Sequence, residues 1–464
     1  MTTFRIERDS MGEMEIPQDA LYGASTERAI RNFPISGLQM PDEFIKAMGL
    51  LKYACALANY DLGKLDKEKA DLIEKAALEV YEGKLMQHFP LEVFQTGSAT
   101  SSNMNANEVI ANRVSQMAGQ SIGSKIPVHP NDDVNMSQSS NDLMPTALHV
   151  SLAIALKNNL LPALEILEAE LNKKVQEWGD IVKIGRTHLM DATPLTLAQE
   201  FSGYAAQVKK SIERTHKAID ALKELAIGGT AVGTGINCPP GFPEKVIAIL
   251  REKTGIDFIR ARNAFEAQAA RDDCVEVAGY LSTISASLSK IANDIRLLAS
   301  GPRSGIGEII LPATQPGSSI MPGKVNPVMS EMLIQVCIYT MGLCQSVVMC
   351  GKDGHFELNV TIPLIAHALH RPIEALSNGI RIFAEKCVAG IQVNKERCKE
   401  LVDRSLMLVT ALNPYIGYDK SAYVAKKAFV ENKTLKEVVL EEGLLDEATL
   451  NKILDPMSMT HTKK

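Results

Sequence analysis

Two stretches of this chain place their core-type residues at alternating steps of four and three. The first is Phe201, Ala205, Val208, Ile212, Thr215, Ile219, Leu222 and Ala226. The second is Val277, Leu281, Ile284, Leu288, Ile291, Ile295 and Leu298. On a helix this spacing gathers one apolar stripe, the seam of a bundle. At about 1.5 Å per residue each helix would run roughly 40 Å, longer than the globular norm. A third segment, Met332 to Gly351, has no charged residue and is long enough to span a bilayer. It includes Gln335, Thr340, Gln345 and Ser346 and follows Glu331 directly, so it reads as the centre of a bundle rather than a membrane span. Further helices are expected at 151–178 and 364–388, with Pro162 and Pro372 as kinks or turn points. The expectation is a mainly α protein built on a central long-helix bundle.

A chain of 464 residues exceeds one ordinary domain. Near its start Phe4, Ile6, Met14 and Ile16 alternate with charged residues about a turn at Asp9–Gly12, which predicts a hairpin. After about 390, short helices alternate with turns over 394–410, 413–417, 419–431 and 434–442. The expected division is an N-terminal domain at 1–138, the bundle at 139–393 and a small helical domain at 394–464. The net charge of −6 comes with no basic block, and Lys463-Lys464 is too short to count, which argues against nucleic acid as a partner. Eight cysteines without a CxxC pair suit neither a disulfide framework nor a zinc site. The opening MTTFRIERDS has no apolar core of a signal peptide. A reduced, cytoplasmic protein is expected.

Five polar strings carry candidate chemistry. Gly317-Ser-Ser-Ile-Met-Pro-Gly-Lys-Val-Asn-Pro327 sets Ser318, Ser319, Lys324 and Asn326 in a loop punctuated by Gly and Pro. Such a loop can surround a small anion with donors; taken alone it is a polar surface turn. Thr96-Gly-Ser-Ala-Thr-Ser-Ser-Asn-Met-Asn-Ala-Asn-Glu108, with Ser98 and Thr100, leads into a helix. His129-Pro-Asn-Asp-Asp-Val-Asn-Met-Ser-Gln-Ser-Ser-Asn-Asp142, with Asn131, Asp132, Ser139, Ser140 and Asn141, does the same. Each of these two is by itself an N-cap, and a helix N-terminus is also a natural carboxylate site. Gly185-Arg-Thr-His-Leu-Met-Asp-Ala-Thr-Pro194 carries Thr187 and His188. Gly228-Gly-Thr-Ala-Val-Gly-Thr-Gly235 matches neither a phosphate loop nor a dinucleotide fingerprint and reads as the turn ending the 201–226 helix. His367 and His370 lie one helical turn apart without a third ligand at sensible spacing, so they read as structural. There is no G-x-S-x-G elbow of a serine hydrolase.

Together these strings resemble the fumarase/aspartase superfamily, and within it the class II fumarases, from Tyr22-Gly-Ala-Ser-Thr26 to Asn413-Pro-Tyr-Ile-Gly-Tyr-Asp-Lys420. The fumarase side is favoured by Ser140, Gly323, the string Thr187–Pro194 and Gly354-His-Phe-Glu-Leu-Asn-Val360. The chain departs from common fumarase wording at Ala99, Met190, Val328-Met329 and Ile126. The resemblance implies a three-domain fold and a hydro-lyase that interconverts fumarate and (S)-malate through an aci-carboxylate, with no metal and no cofactor. It implies Ser318 as base, with His188, oriented by Glu331, at the water. Lys324 and Asn326, helped by Thr187, would hold the reacting carboxylate, and Thr100, Ser139, Ser140 and Asn141 the second one; Ser98 and Ser319 would also bind substrate. His129, Asn131 and Asp132 form a possible accessory carboxylate site. A homotetramer with sites shared between chains is implied, and no membrane partner. Aspartate ammonia-lyase and a non-catalytic scaffold of the same fold are the alternatives.

Overall fold

The computed structural model describes residues 3–461; Met1, Thr2 and residues 462–464, with the Lys463-Lys464 pair, lie outside the described residues. The fold is mainly α. Its longest helices are Leu197–Ala221, Asp272–Leu298, Val328–Gly351 and Ile362–Lys386. Among the described residues every sheet has only two strands. Contacts divide the chain into two units. One contains Met1–Pro162, Glu213–Ser285 and Val336–Ser377, the other Ala163–Ile212, Ala286–Gln335 and Asn378–Lys464.

In the first unit the predicted hairpin forms, Phe4–Asp9 against Gly12–Pro17, with Asp9 opposite Gly12. Its two apolar pairs part company: Met14 and Ile16 are buried, whereas Phe4 and Ile6 are exposed. Helices Asp42–Asp61, Thr100–Met117 and Ser140–Ala155 pack together. The helix expected at 151–178 begins earlier, at Ser140, and passes through a π-helical turn at Leu156–Leu160. That turn lies just before Pro162, whose missing N–H interrupts regular α bonding. Pro372 instead sits inside a continuous helix.

The stripe of the second long run is buried at every position from Val277 to Leu298. The first run is corrected at its end. The helix stops at Ala221, and Glu224–Leu225 pairs in parallel with Ile259–Arg260. Gly228–Gly235 therefore follows this short strand instead of capping the helix. Helix Val328–Gly351 buries one 4-3 stripe, Ser330, Leu333, Cys337, Thr340, Cys344 and Val347, while Ile338, Tyr339, Val348 and Met349 stay exposed. By length and composition this helix, and the stretch Ser140–Glu177, could cross a membrane.

In the second unit the Gly185–Pro194 string lies in a hairpin, Val182–Thr187 against Met190–Thr196. The tail region is helical as expected, but the 394–410 segment breaks at Ser405. Lys395–Arg404 is α, and Ser405 caps the 3-10 helix Leu406–Leu412. Val402, Leu408, Leu412, Val424, Val438 and Leu450 form its core, with Ile184 of the hairpin packed among them. All eight cysteines are unpaired.

Candidate active site

Local chemistry fixes the loop that precedes Thr100. The Gly97 carbonyl accepts from Ile362 N at 2.9 Å, and a Cβ on Gly97 would lie 1.7 Å from the Val360 oxygen. Only glycine lets the two backbones approach this closely. Ala99, the residue before the helix, is left-handed at φ 59°. Ser98 Oγ and Thr100 Oγ1 share a hydrogen bond of 2.8 Å. Asn103, one turn on, donates to Ser140 Oγ at 3.0 Å and so ties this string to the next.

Ser139 is a true N-cap. Its Oγ accepts from Asn141 N at 3.2 Å, and Asp142 Oδ1 accepts from Ser139 N at 2.9 Å. The other oxygen of Asp142 accepts from Gly228 N and Thr230 N, both at 2.9 Å. Burial pushes the Asp142 carboxyl up to about 6, against the pull of these N–H groups. Asn141 Nδ2 donates to Ala231 O at 2.8 Å. The helix cap therefore lies among the residues expected to bind a carboxylate, and the Gly228–Ala231 turn supports it. Sequence reasoning does not mark Asn103, Asp142 or this turn as supports of the cap, although all three stand inside the strings singled out above.

His129 caps the short helix Pro130–Val134, its Nδ1 accepting from Asn131 N at 3.3 Å and Asp132 N at 3.2 Å. Asp132 Oδ2 lies 3.3 Å from the same nitrogen. Asn131 and Asp132 line a cleft with Lys64 and Ser139.

In the second unit Thr187 and Met190 close the hairpin, which leaves His188 and Leu189 as a two-residue turn at φ 56° and 62°. Beneath it is a buried set of charges. Arg186 meets both oxygens of Glu308 at 3.0 and 3.1 Å, and Lys183 reaches Glu200 at 2.6 Å and Glu308 at 3.3 Å. Glu308 is fully buried. Paired charges of this kind lock the hairpin, since removing one partner strands the other.

The 317–326 loop closes on itself. Gly317 N donates to Lys324 O at 2.9 Å, and Asn326 Nδ2 donates to Gly317 O at 2.5 Å. Ser318 Oγ accepts from Ile320 N at 3.2 Å and Met321 N at 2.9 Å. Ser319 and Lys324 are exposed, as are Ile320, Met321 and Val325. Among the described residues, no hydrogen bond or ion pair joins His188 to Glu331, Ser318 or Lys324 within the chain. His367 and His370 are buried, and His370 Nε2 meets Ser151 Oγ at 2.8 Å, in keeping with a structural role. No group of three or more metal-ligating side chains is found among the described residues.

A family model described as Lyase matches residues 12–342, and one described as Fumarase C C-terminus matches 408–461. The fold and the strings on it are thus those of a lyase. Fumarate hydratase class II of Bacillus anthracis is 52% identical over 461 residues, covering 99% of this chain and 100% of that one. The mitochondrial fumarate hydratase of Homo sapiens is 52% identical over 463 residues, 99% of this chain and 91% of that one. The crystal structure of recombinant class II fumarase from Schistosoma mansoni superposes with a TM-score of 0.96 at 40% identity, over 98% of this chain and 99% of that chain. The chain belongs to the class II fumarase family.

Proposed function

We infer that this chain is a fumarate hydratase, a hydro-lyase that interconverts fumarate and (S)-malate. One observation carries the choice of substrate: 52% identity over nearly the full length with proteins named fumarate hydratase. The substrate is a small dicarboxylate.

The chemistry is assigned to side chains as follows. The hard step is removal of a proton from carbon beside a carboxylate. In the malate-to-fumarate direction the Ser318 alkoxide takes that proton, and the electron pair moves onto the adjacent carboxylate as the aci form. Lys324, Asn326, Thr187 and Ser319 donate to this doubly charged group. The pair then forms the C=C bond and expels hydroxide, which leaves as water with a proton from His188. Glu331 orients His188. Ser98, Thr100, Ser139, Ser140 and Asn141 hold the second carboxylate. Support comes from the two N–H groups on Ser318 Oγ, which are the donors an alkoxide needs. Asn326 spends one amide proton on Gly317 O and keeps the other for substrate. The accessory carboxylate site at His129, Asn131 and Asp132 is supported by Lys64, a cation in the same cleft.

The working form is proposed to be a homotetramer with shared sites. The exposed apolar side of Val328–Gly351 and the exposed Leu189, Met190 and Ile320 favour it, because patches of this kind mark interfaces. A cytoplasmic location fits eight unpaired cysteines. The three-part division is also kept as a proposal, since Ser139 and Asn394 each cap a helix at its two boundaries.

The test is fumarate absorbance near the ultraviolet edge, with malate and with aspartate, each with and without a chelator. Turnover of malate that survives chelation is expected. Activity with aspartate alone, or malate activity lost on chelation, overturns the reading.

A further inference from the structure

Helix Asp42–Asp61 buries a lysine. Lys52 is 0% exposed, and among the described residues no carboxylate pairs with it. Burying an ammonium without a counter-ion is costly, so such a group calls for an explanation. Its partners are neutral: Lys52 Nζ donates to Asn135 Oδ1 and to Gln138 Oε1, both at 2.9 Å. Gln138 is held from its other end as well, its Nε2 donating to Val134 O at 3.1 Å and Met136 O at 2.9 Å.

Asn135 Oδ1 also accepts from Asn103 Nδ2 at 3.1 Å, and Asn103 Nδ2 donates to Ser140 Oγ at 3.0 Å. Three hydrogen bonds therefore lead from a buried cation to a hydroxyl of the carboxylate cluster. They cross from helix Asp42–Asp61 to helix Thr100–Met117 and on to the start of helix Ser140–Ala155. The direction of the last bond matters. A hydroxyl that accepts from Asn103 has its own proton free to donate. The nearby charge of opposite sign, Asp142, already has its oxygens taken by Ser139, Gly228 and Thr230. Asp142 acts on Lys52 through space but forms no ion pair with it, and in a buried setting the field of the ammonium is weakly screened and reaches an incoming anion as well. Burial pushes Lys52 down to about 7, and a bound dianion favours its charged form.

We propose that Lys52 is a positioning residue for the second carboxylate, fixing the Asn135–Asn103–Ser140 chain so that the Ser140 hydroxyl donates to the substrate. This rests on the fumarate hydratase reading. Nothing in the chain's motifs marks Lys52, which sits outside every string assigned to the site.

The test uses two variants of the full-length protein. Lys52→Met keeps length and removes charge. Asn103→Ala keeps the charge and cuts the link to Ser140. For each, kcat and KM are measured with malate, and the Kd of succinate, a dicarboxylate that cannot react, is measured by calorimetry. KM and the succinate Kd should rise roughly 10- to 100-fold in both, the range for a lost charge-assisted hydrogen bond, with kcat within about threefold of wild type. Unchanged KM and Kd, or a fall in kcat with KM unmoved, overturns the proposal. If Lys52→Met does not fold, Asn103→Ala decides by the same split. Wild-type protein that binds succinate without turning over malate overturns the functional reading but leaves the Lys52 comparison in force. Wild-type protein that binds no succinate overturns both.

Discussion

Ala99 holds a left-handed backbone at φ 59°, immediately before Thr100. For an L-residue this costs about 1–2 kcal/mol, and glycine removes the cost while adding some unfolded-state entropy. Ala99→Gly should stabilise the protein by a net of about 1 kcal/mol, read as a higher denaturant midpoint with unchanged slope. An unchanged or lower midpoint would contradict this account of the loop. His188 and Leu189 are a second case. Two-residue hairpin turns with positive φ at both positions favour Asn-Gly, and a leucine there is held against its preference. Strain of this kind persists where surrounding structure over-determines it, and here it projects His188 from the hairpin tip. The sequence singles out Ala99 and His188 by their place in motifs. Their dihedral angles were not legible, since neither residue type announces positive φ.

Secondary elements were legible where one periodicity had no competitor. The run from Val277 to Leu298 forms one helix with its stripe buried. The run from Phe201 keeps its spacing through Ala226, yet the helix ends at Ala221, because Lys223 and Leu225 offer their carbonyls to Ile259 N and Ala261 N. That pairing partner lies more than thirty residues on, out of reach of local pattern. The hairpin around His188 was missed for two reasons. Its turn lacks the usual residues, and a register shift between Ile184 and Arg186 breaks the alternation. Helices also carry the pH dependence. His149 on Ser140–Ala155 and His370 on Ile362–Lys386 are buried, and burial pushes them down to about 4 and about 3 from 6.5. The unfolded chain binds protons below 6.5 that the native state refuses, so stability is complete above 6.5 and falls as pH drops toward 4. Asp142, raised to about 6 from 3.8, acts in the opposite direction between those values. Comparison between variants isolates the histidines: His149→Gln/His370→Gln should lose less stability than wild type between pH 6.5 and 4 in denaturant titrations. Parallel curves would contradict neutral burial of these rings.

At the scale of the whole molecule, the strings from Tyr22 to Lys420 were enough to suggest the family, and the full-length matches bear that out. Among the described residues, one chain does not join all of the expected site residues. Among the described residues no hydrogen bond or ion pair joins His188 to Glu331, and one stripe of Val328–Gly351 is covered while Ile338 and Met349 are exposed. The proposed sharing of sites between chains would account for both facts, and sequence periodicity suggests it only as surplus apolar surface. The most direct test mixes two defective chains. His188→Asn and Ser318→Ala alone should each lower kcat by roughly 10²–10⁴, with substrate binding much less affected. Co-refolded, and verified by mass as mixed tetramers, they should recover part of the malate-to-fumarate activity, because some sites then draw an intact His188 and an intact Ser318 from different chains. No recovery in verified mixed tetramers, or a fully active wild-type monomer, would contradict the account.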